Sequence, residues 1–333
     1  MLGNPDPAVP AAGIFGGVHG LERIGTEVAL AALRQFVARL RWDATLHHLL
    51  DGLRLVVMPL VNPGGLWLGT RANPQGVDLM RNAPVQATEP VPMLLGGHRI
   101  GGWLPWYRGP ADAPMQAEAQ ALCTLVAEEL LTHRFAISVD CHSGFGVVDR
   151  LWFPYAHTAR PVPMLPEVLA LAELLDDSLP HHRYLIEPQS RQYRTHGDLW
   201  DHLVLQAGAG APANTLLPLT LEMGSWLWVK KNPRQMFSRH GIFNPLIAHR
   251  QQRVLRQFVG RARRAVALQV RRAGREHAPG LGQTAHGDGR VVLALAVADG
   301  HVDAAVQQVG VAVGHHDLHA QSRVTFGESR QQR

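Results

Sequence analysis

An α/β fold is predicted for the first 250 residues of this 333-residue chain. Three observations predict it: short apolar runs alternate with longer amphipathic stretches, the runs end in glycine- or proline-bearing turns, and 46% of the residues are hydrophobic, enough for a large core.

Taken in order, AAGIFGGVHG (11–20) reads as a buried strand ending in a glycine turn, and LERIGTEVALAALRQFVARL (21–40) as a helix with apolar residues at helical spacing. LRLVVMPLVNP (53–63) is a second buried strand, closed by a turn at Asn62-Pro63-Gly64-Gly65. MQAEAQALCTLVAEELL (115–131) is a strong helix, and FAISVDCH (135–142) a third strand. LPEVLALAELLDD (165–177) is helical, while RYLIEP (183–188) and LPLTLEMG (217–224) are further strands. The long stretches 64–114 and 143–164 read as functional loops, because a compact domain seldom carries structureless connections of that length. Open α/β sheets bind ligands at the carboxyl ends of their strands, which is where His19, His142 and Glu222 fall.

Two cysteines, Cys123 and Cys141, exclude a disulfide framework and a four-cysteine zinc site, so any metal must use histidine and carboxylate ligands. No apolar run is long enough to span a membrane and the first residues lack a signal-peptide pattern, so a cytoplasmic protein without membrane partners is expected. The net charge of +5 arises in the tail. Residues 1–250 hold 20 basic and 21 acidic side chains, whereas residues 251–333 hold 12 and 6. Lysine occurs only at Lys230 and Lys231 against thirty arginines, a coding bias rather than a nucleic-acid surface, and no nucleic-acid partner is expected.

The texture changes near residue 250, beyond which Trp and Tyr vanish and Arg, Gln and His rise. The expected organisation is a catalytic domain over 1–250 and a basic C-terminal extension over 251–333. Whether that extension is an appendage, a shifted-frame translation or a small accessory domain whose runs near 290–313 cover a sheet edge stays open at this level.

His19 and Glu22 form an H-x-x-E at a strand-to-helix junction, so an imidazole and a carboxylate converge from one tight turn, bracketed by Gly16, Gly17 and Gly20. With His142 at the end of another strand, two histidines and one glutamate make an open, catalytic type of zinc set. The alternative is structural: His19 capping a turn and Glu22 sitting favourably at a helix N-terminus.

The order of motifs resembles the M14-type zinc carboxypeptidase family, including its murein-peptide amidase branch, over about residues 11–245. GGVHGLERIG is similar to the family's first metal motif and DCHSGFG to its second, which implies His19, Glu22 and His142 as ligands of one Zn2+. GTRANPQGVDLMRN resembles the segment that usually reads GVDLNRN, which implies Arg71 as the carbonyl-polarising arginine and Arg81 as the clamp on a terminal carboxylate. TLEMG resembles the strand presenting the catalytic glutamate, Glu222, which would take the proton of the attacking water and pass it to the leaving amine. Asp78 would orient a ligand imidazole. The implied fold is a mixed, mostly parallel central sheet flanked by helices. The implied activity is zinc-dependent hydrolysis of a terminal peptide or peptide-like amide bond in a small substrate.

Several residues depart from the pattern. Met80 stands where Asn is usual, so weakened recognition of a free α-carboxylate is expected, with Asn82 as a compensating group. No tyrosine stands at the family's usual place ahead of the glutamate; His202 is expected to substitute, or Tyr193 to reach in, while His196 reads as a local turn or core residue. Strand alternation turns Cys141 away from the site. Family members carry additional strands ahead of the first metal motif, so a late start and a shortened sheet edge are expected. A deacylase of the aspartoacylase and succinylglutamate desuccinylase type shares part of the pattern, and an inactive relative acting only as a binding module is the third reading. The sequence says nothing of the oligomeric state.

Overall fold

The computed structural model describes residues 1–179, 182–210 and 214–258; the expectations for the rest of the C-terminal extension lie outside the described residues. Seven strands form one mixed sheet: β1 (Leu2–Gly3), β2 (Ala11–Gly16), β3 (Arg54–Met58), β4 (Phe135–Ser143), β5 (Arg150–Phe153), β6 (Leu185–Pro188) and β7 (Thr215–Met223), in the order β1-β3-β2-β4-β7-β5-β6. β3, β2, β4 and β7 are mutually parallel; β5 runs antiparallel to β7 and parallel to β6, and β1 runs antiparallel to β3. The edge beside β3 therefore consists of the two-residue β1.

Helices cover both faces, which is why the central strands read as continuous apolar runs: all six residues of β2 are buried. α1 (Arg23–Arg39) buries Ile24, Val28, Ala29, Ala32 and Phe36, the spacing of one helical face. Gly25 on that face makes the contact close. A Cβ there would lie 2.1 Å from the carbonyl oxygen of Cys141 on β4, so only glycine lets α1 approach the sheet at this depth. On the opposite face Trp200 of α6 (Leu199–Ala209) packs edge-on against Phe15 of β2, ring centroids 5.2 Å apart. α4 (Ala117–Glu129) and α5 (Leu165–Ser178) match the expected helices.

Several elements were not expected. The turn at 62–65 opens a short helix, α3 (Pro63–Leu68), capped by the Asn62 side chain. α2 (Ala44–Asp51) is capped by Asp43, and β5 lies inside the stretch 143–164 read as loop. The segment around 195–202 supplies the cap and first turn of α6: Asp198 accepts from the amides of Trp200 and Asp201. After β7 come α7 (Trp226–Lys231) and, at residues 248–258, a helix that crosses position 250. Val254 and Phe258 on this last helix are buried in the common core, so the chain continues to pack against the α/β unit past the position 250 at which the sequence suggested a boundary.

Gly25→Ala is expected to overpack the α1–sheet contact and cost about 1–3 kcal/mol, lowering the thermal midpoint by about 2–4 °C per kcal/mol. Circular dichroism melting of the full chain checks this.

Candidate active site

β2 lies between β3 and β4, the chain passing first to one side and then to the other, so a crevice opens where the carboxyl ends of β2 and β4 diverge. His19 and Glu22 follow β2 in the turn leading into α1; His142 is the penultimate residue of β4. One donor atom from each of the three lies within 4.8 Å of the others, and all three residues are buried.

Glu22 occupies the N-cap position of α1 but makes no cap bond with its side chain. Its carboxylate instead faces the crevice. Oε1 accepts from Nδ1 of His19 at 2.8 Å, and Oε2 accepts from Nδ1 of His142 at 3.1 Å and from the Ser143 amide at 3.0 Å. The duty of capping passes to Asn244, whose Oδ1 accepts from the Ile24 amide at 2.9 Å while its Nδ2 donates to the Leu21 carbonyl.

Each imidazole is gripped from behind by a carboxylate. Nε2 of His19 contacts Oδ1 of Asp78 at 3.1 Å, and Nε2 of His142 contacts Oδ2 of Asp140 at 2.7 Å. Both carboxylates are fully buried. Asp78 is held by the Met80 amide and by Nε of Arg71 at 2.7 Å; Asp140 is held by Nε1 of Trp200 at 3.0 Å. Arg71 reaches on to Oε1 of Glu22 through Nη1 at 3.3 Å, leaving Nη2 uncommitted.

The ionisation of these groups follows from that pairing. Burial opposes charge on Glu22, but His19 and His142 hold its carboxyl below the usual carboxylate range. Burial likewise opposes charge on His142, yet Asp140 and Glu22 hold it well above the usual imidazole range. Asp78 is held well below its range by Arg71 and His19 against its own burial. The cluster thus presents two imidazole Nδ1 atoms and one carboxylate to a common point, with Nε2 of each ring fixed by an acid. This is the donor set and outer support that a divalent zinc ion requires, and ion binding would displace the protons that now hold the rings to Glu22.

Glu222 stands beside this cluster, directly across from His142 in the β4–β7 register. Its Oε1 accepts from the Phe145 amide at 3.0 Å, leaving Oε2 free. Burial, reinforced by the charge of Glu22, pushes its carboxyl up to about 8. Tyr193 reaches the same crevice. Its phenol sits against Arg81 and within electrostatic range of Glu222 and Arg71, and its ring packs against Phe145 and Trp152 at centroid distances of 6.1 and 6.0 Å. Burial raises the phenol above its ordinary range.

A family model described as zinc carboxypeptidase matches residues 3–215. The chain belongs to the M14 zinc carboxypeptidase family. Among solved structures it is similar in fold to thrombin-activatable fibrinolysis inhibitor (18% identity, TM-score 0.54), the match covering 80% of this chain and 64% of that one. The chain thus spans less than two thirds of that relative. It is similar also to the bovine form of the same protein, solved with tick carboxypeptidase inhibitor (18% identity, TM-score 0.52, covering 80% of this chain and 83% of that one). The murein-tripeptide amidase of Escherichia coli O157 matches at 21% identity over 76% of this chain and 82% of its own, with a TM-score of 0.34. The family is zinc-dependent, and the His19–Glu22–His142 group is where this member can hold the ion.

The other residues singled out from the sequence fall differently. Asp78 reaches the imidazole of His19. Arg81 is 2% exposed and turns its guanidinium toward Tyr193, the Leu95 carbonyl and the Met80 carbonyl. Asn82 is committed elsewhere: Nδ2 donates to the Arg108 carbonyl at 2.9 Å and Oδ1 accepts from the Gln116 amide at 2.6 Å, so it ties two loops together. Met80 is buried in the hydrophobic core. His202 is half-buried on α6 and contributes no side-chain hydrogen bond to the cluster. His196 accepts from the Ala87 amide as a loop residue. Cys141 faces α1, away from the crevice, and burial raises its thiol far above the usual range. Among the described residues no helix is long and apolar enough to cross a membrane.

Asp140 was passed over in the sequence, although the alternation in Asp-Cys-His places it on the same face as His142. Asp140→Ala is expected to weaken zinc affinity by about 10- to 100-fold. Competition with a chromogenic chelator measures it, with Cys141→Ala on the opposite strand face expected to leave affinity unchanged.

Proposed function

We propose that this chain is a zinc-dependent hydrolase that cleaves a terminal peptide or peptide-like amide bond, with His19, Glu22 and His142 holding one Zn2+. The observation that carries the reading is the register of β4 and β7. It sets Glu222 beside His142 yet outside the ligand group, with one carboxylate oxygen anchored by the Phe145 amide and the other free. A bound zinc would supply Lewis acidity at the scissile carbonyl and lower the pKa of water.

The rest is work for the side chains. Glu222 takes a proton from water at Oε2 and returns it to the departing amine nitrogen, work for which a carboxyl pushed up from its ordinary range by burial is suited. Arg71 is locked by Asp78 and Glu22, and its remaining Nη2 donates to the carbonyl oxygen as negative charge gathers there. A guanidinium pre-oriented in this way needs no reorganisation during the reaction. Arg81 and Tyr193 receive the terminal carboxylate of the substrate, the phenol also shielding the bond from solvent. The wall formed by Phe145, Trp152 and Tyr193 excludes water on that side.

Glu222→Gln is expected to keep bound zinc and to lower kcat by about 10² or more, equivalent to about 2.7 kcal/mol of transition-state stabilisation. Elemental analysis and turnover of acyl-dipeptides check the two halves. His142→Ala is expected to lose the metal and the activity together, whereas wild-type turnover in Glu222→Gln would remove that residue from the mechanism.

A further inference from the structure

We propose that the substrate residue released by this site is itself acidic, carrying a second carboxylate beyond the terminal one; this rests on the amidase or peptidase reading above.

The observation is an imbalance of charge behind Arg81. Arg81 and Arg108 are 2% and 5% exposed, and Arg99 lies beside them at the surface. Among the described residues none of the three has a carboxylate within 4.0 Å, whereas the partly buried Arg39, Arg54, Arg71 and Arg150 are each paired with an acid. The three guanidinium groups end on neutral oxygens instead. Arg108 donates to the carbonyls of Arg81 and Val85 at 3.1 Å and to Oε1 of Gln86 at 2.9 Å. Arg99 donates to the carbonyls of Gly109 and Pro110, both at 2.6 Å, and Arg81 to those of Met80 and Leu95.

The cluster is compact because the stems of Arg81 and Arg108 cross the same glycine. Gly97 has φ of +94°, and a Cβ there would lie 3.1 Å from Cδ of Arg108 and 3.2 Å from Cδ of Arg81. Burial together with the charges of Arg99 and Arg81 pushes Arg108 down to about 10, and burial and the same arginines lower His196. The acids within range offer little relief. Asp78 is spoken for by Arg71 and His19, and Asp198 is pushed up to about 7 by burial and Asp201.

Buried cations are stable when paired, so positive charge left unpaired beside a substrate clamp marks where the ligand's negative charge goes. One carboxylate answers Arg81. The field of Arg99 and Arg108 remains for a second, and it repels a basic side chain in the same place. A glutamate-like released residue meets both conditions.

The test uses the full-length Glu222→Gln chain with zinc bound, so that binding is read without turnover. Titration calorimetry with N-acetyl-Ala-Glu, N-acetyl-Ala-Gln and N-acetyl-Ala-Lys is expected to give about tenfold or greater preference for the glutamate peptide over the glutamine peptide, and the weakest binding for lysine. Adding Arg99→Gln, a surface change verified by circular dichroism, is expected to erase most of that preference while leaving the affinity for the glutamine peptide unchanged. Equal affinities for the glutamate and glutamine peptides, or a preference that survives Arg99→Gln, overturns the acidic assignment and leaves the peptidase reading standing. Failure of all three peptides to bind overturns the two together.

Discussion

Burying the Glu22 carboxylate at 3% exposure is the constraint on which the rest of the site depends. An isolated carboxylate at that depth would take up a proton, so the fold must bring compensating groups to it from several directions. It does so with His19 from the same turn, His142 and the Ser143 amide from β4, and Arg71 from the loop after α3. Those partners are themselves charged or polar and need support in turn. Asp78 answers His19 and Arg71; Asp140 answers His142, with Trp200 donating to the same oxygen. The result is a closed shell of opposite charges in which every ring and every fork is fixed by its neighbour, the preorganisation a metal site requires.

The secondary structure is arranged to serve this shell. Parallel β2 and β4 end at nearly the same level because their register pairs Gly16 with Cys141, which delivers the His19 turn and His142 to one crevice. Gly25 lets α1 settle onto β4, and that settling carries Glu22 down to His142. A carboxylate at a helix N-cap ordinarily bonds its own helix. Here Asn244 takes over that task from 220 residues away, so Glu22 is free for the crevice.

Charge is treated in opposite ways at the two ends of the crevice. Around His19, Glu22 and His142 acids and bases are matched one for one, an arrangement in which a dication could take the place of protons. Around Arg81 they are not matched, and the excess of Arg99 and Arg108 faces backbone oxygens. The first arrangement suits a cation and the second an anion, and the loop containing Gly97 is what brings the stems of Arg81 and Arg108 together.

His19, His142 and Glu222 were legible as candidates because each follows or ends an apolar run, and strand ends in such sheets converge whatever the details of packing; Glu22 was legible from its H-x-x-E spacing to His19. Asp140 was legible in principle, since two-residue periodicity puts it on the His142 face, and so was the helical cap Asp198. Other assignments depended on contacts that spacing does not encode. Tyr193 enters the crevice because Phe145 and Trp152 hold its ring, while His202, nearer to the expected position, is carried onto α6. Asn82, beside Arg81 in the chain, is drawn away by Arg108 and Gln116, and Met80 turns into the core. The sequence by itself determined the α/β class and the donor types for zinc, because periodicity and residue chemistry are local. Where the neighbours of Arg81 turn, what caps α1 and where charge is left unpaired were decided only by the tertiary structure, because each depends on contacts between segments far apart in the chain.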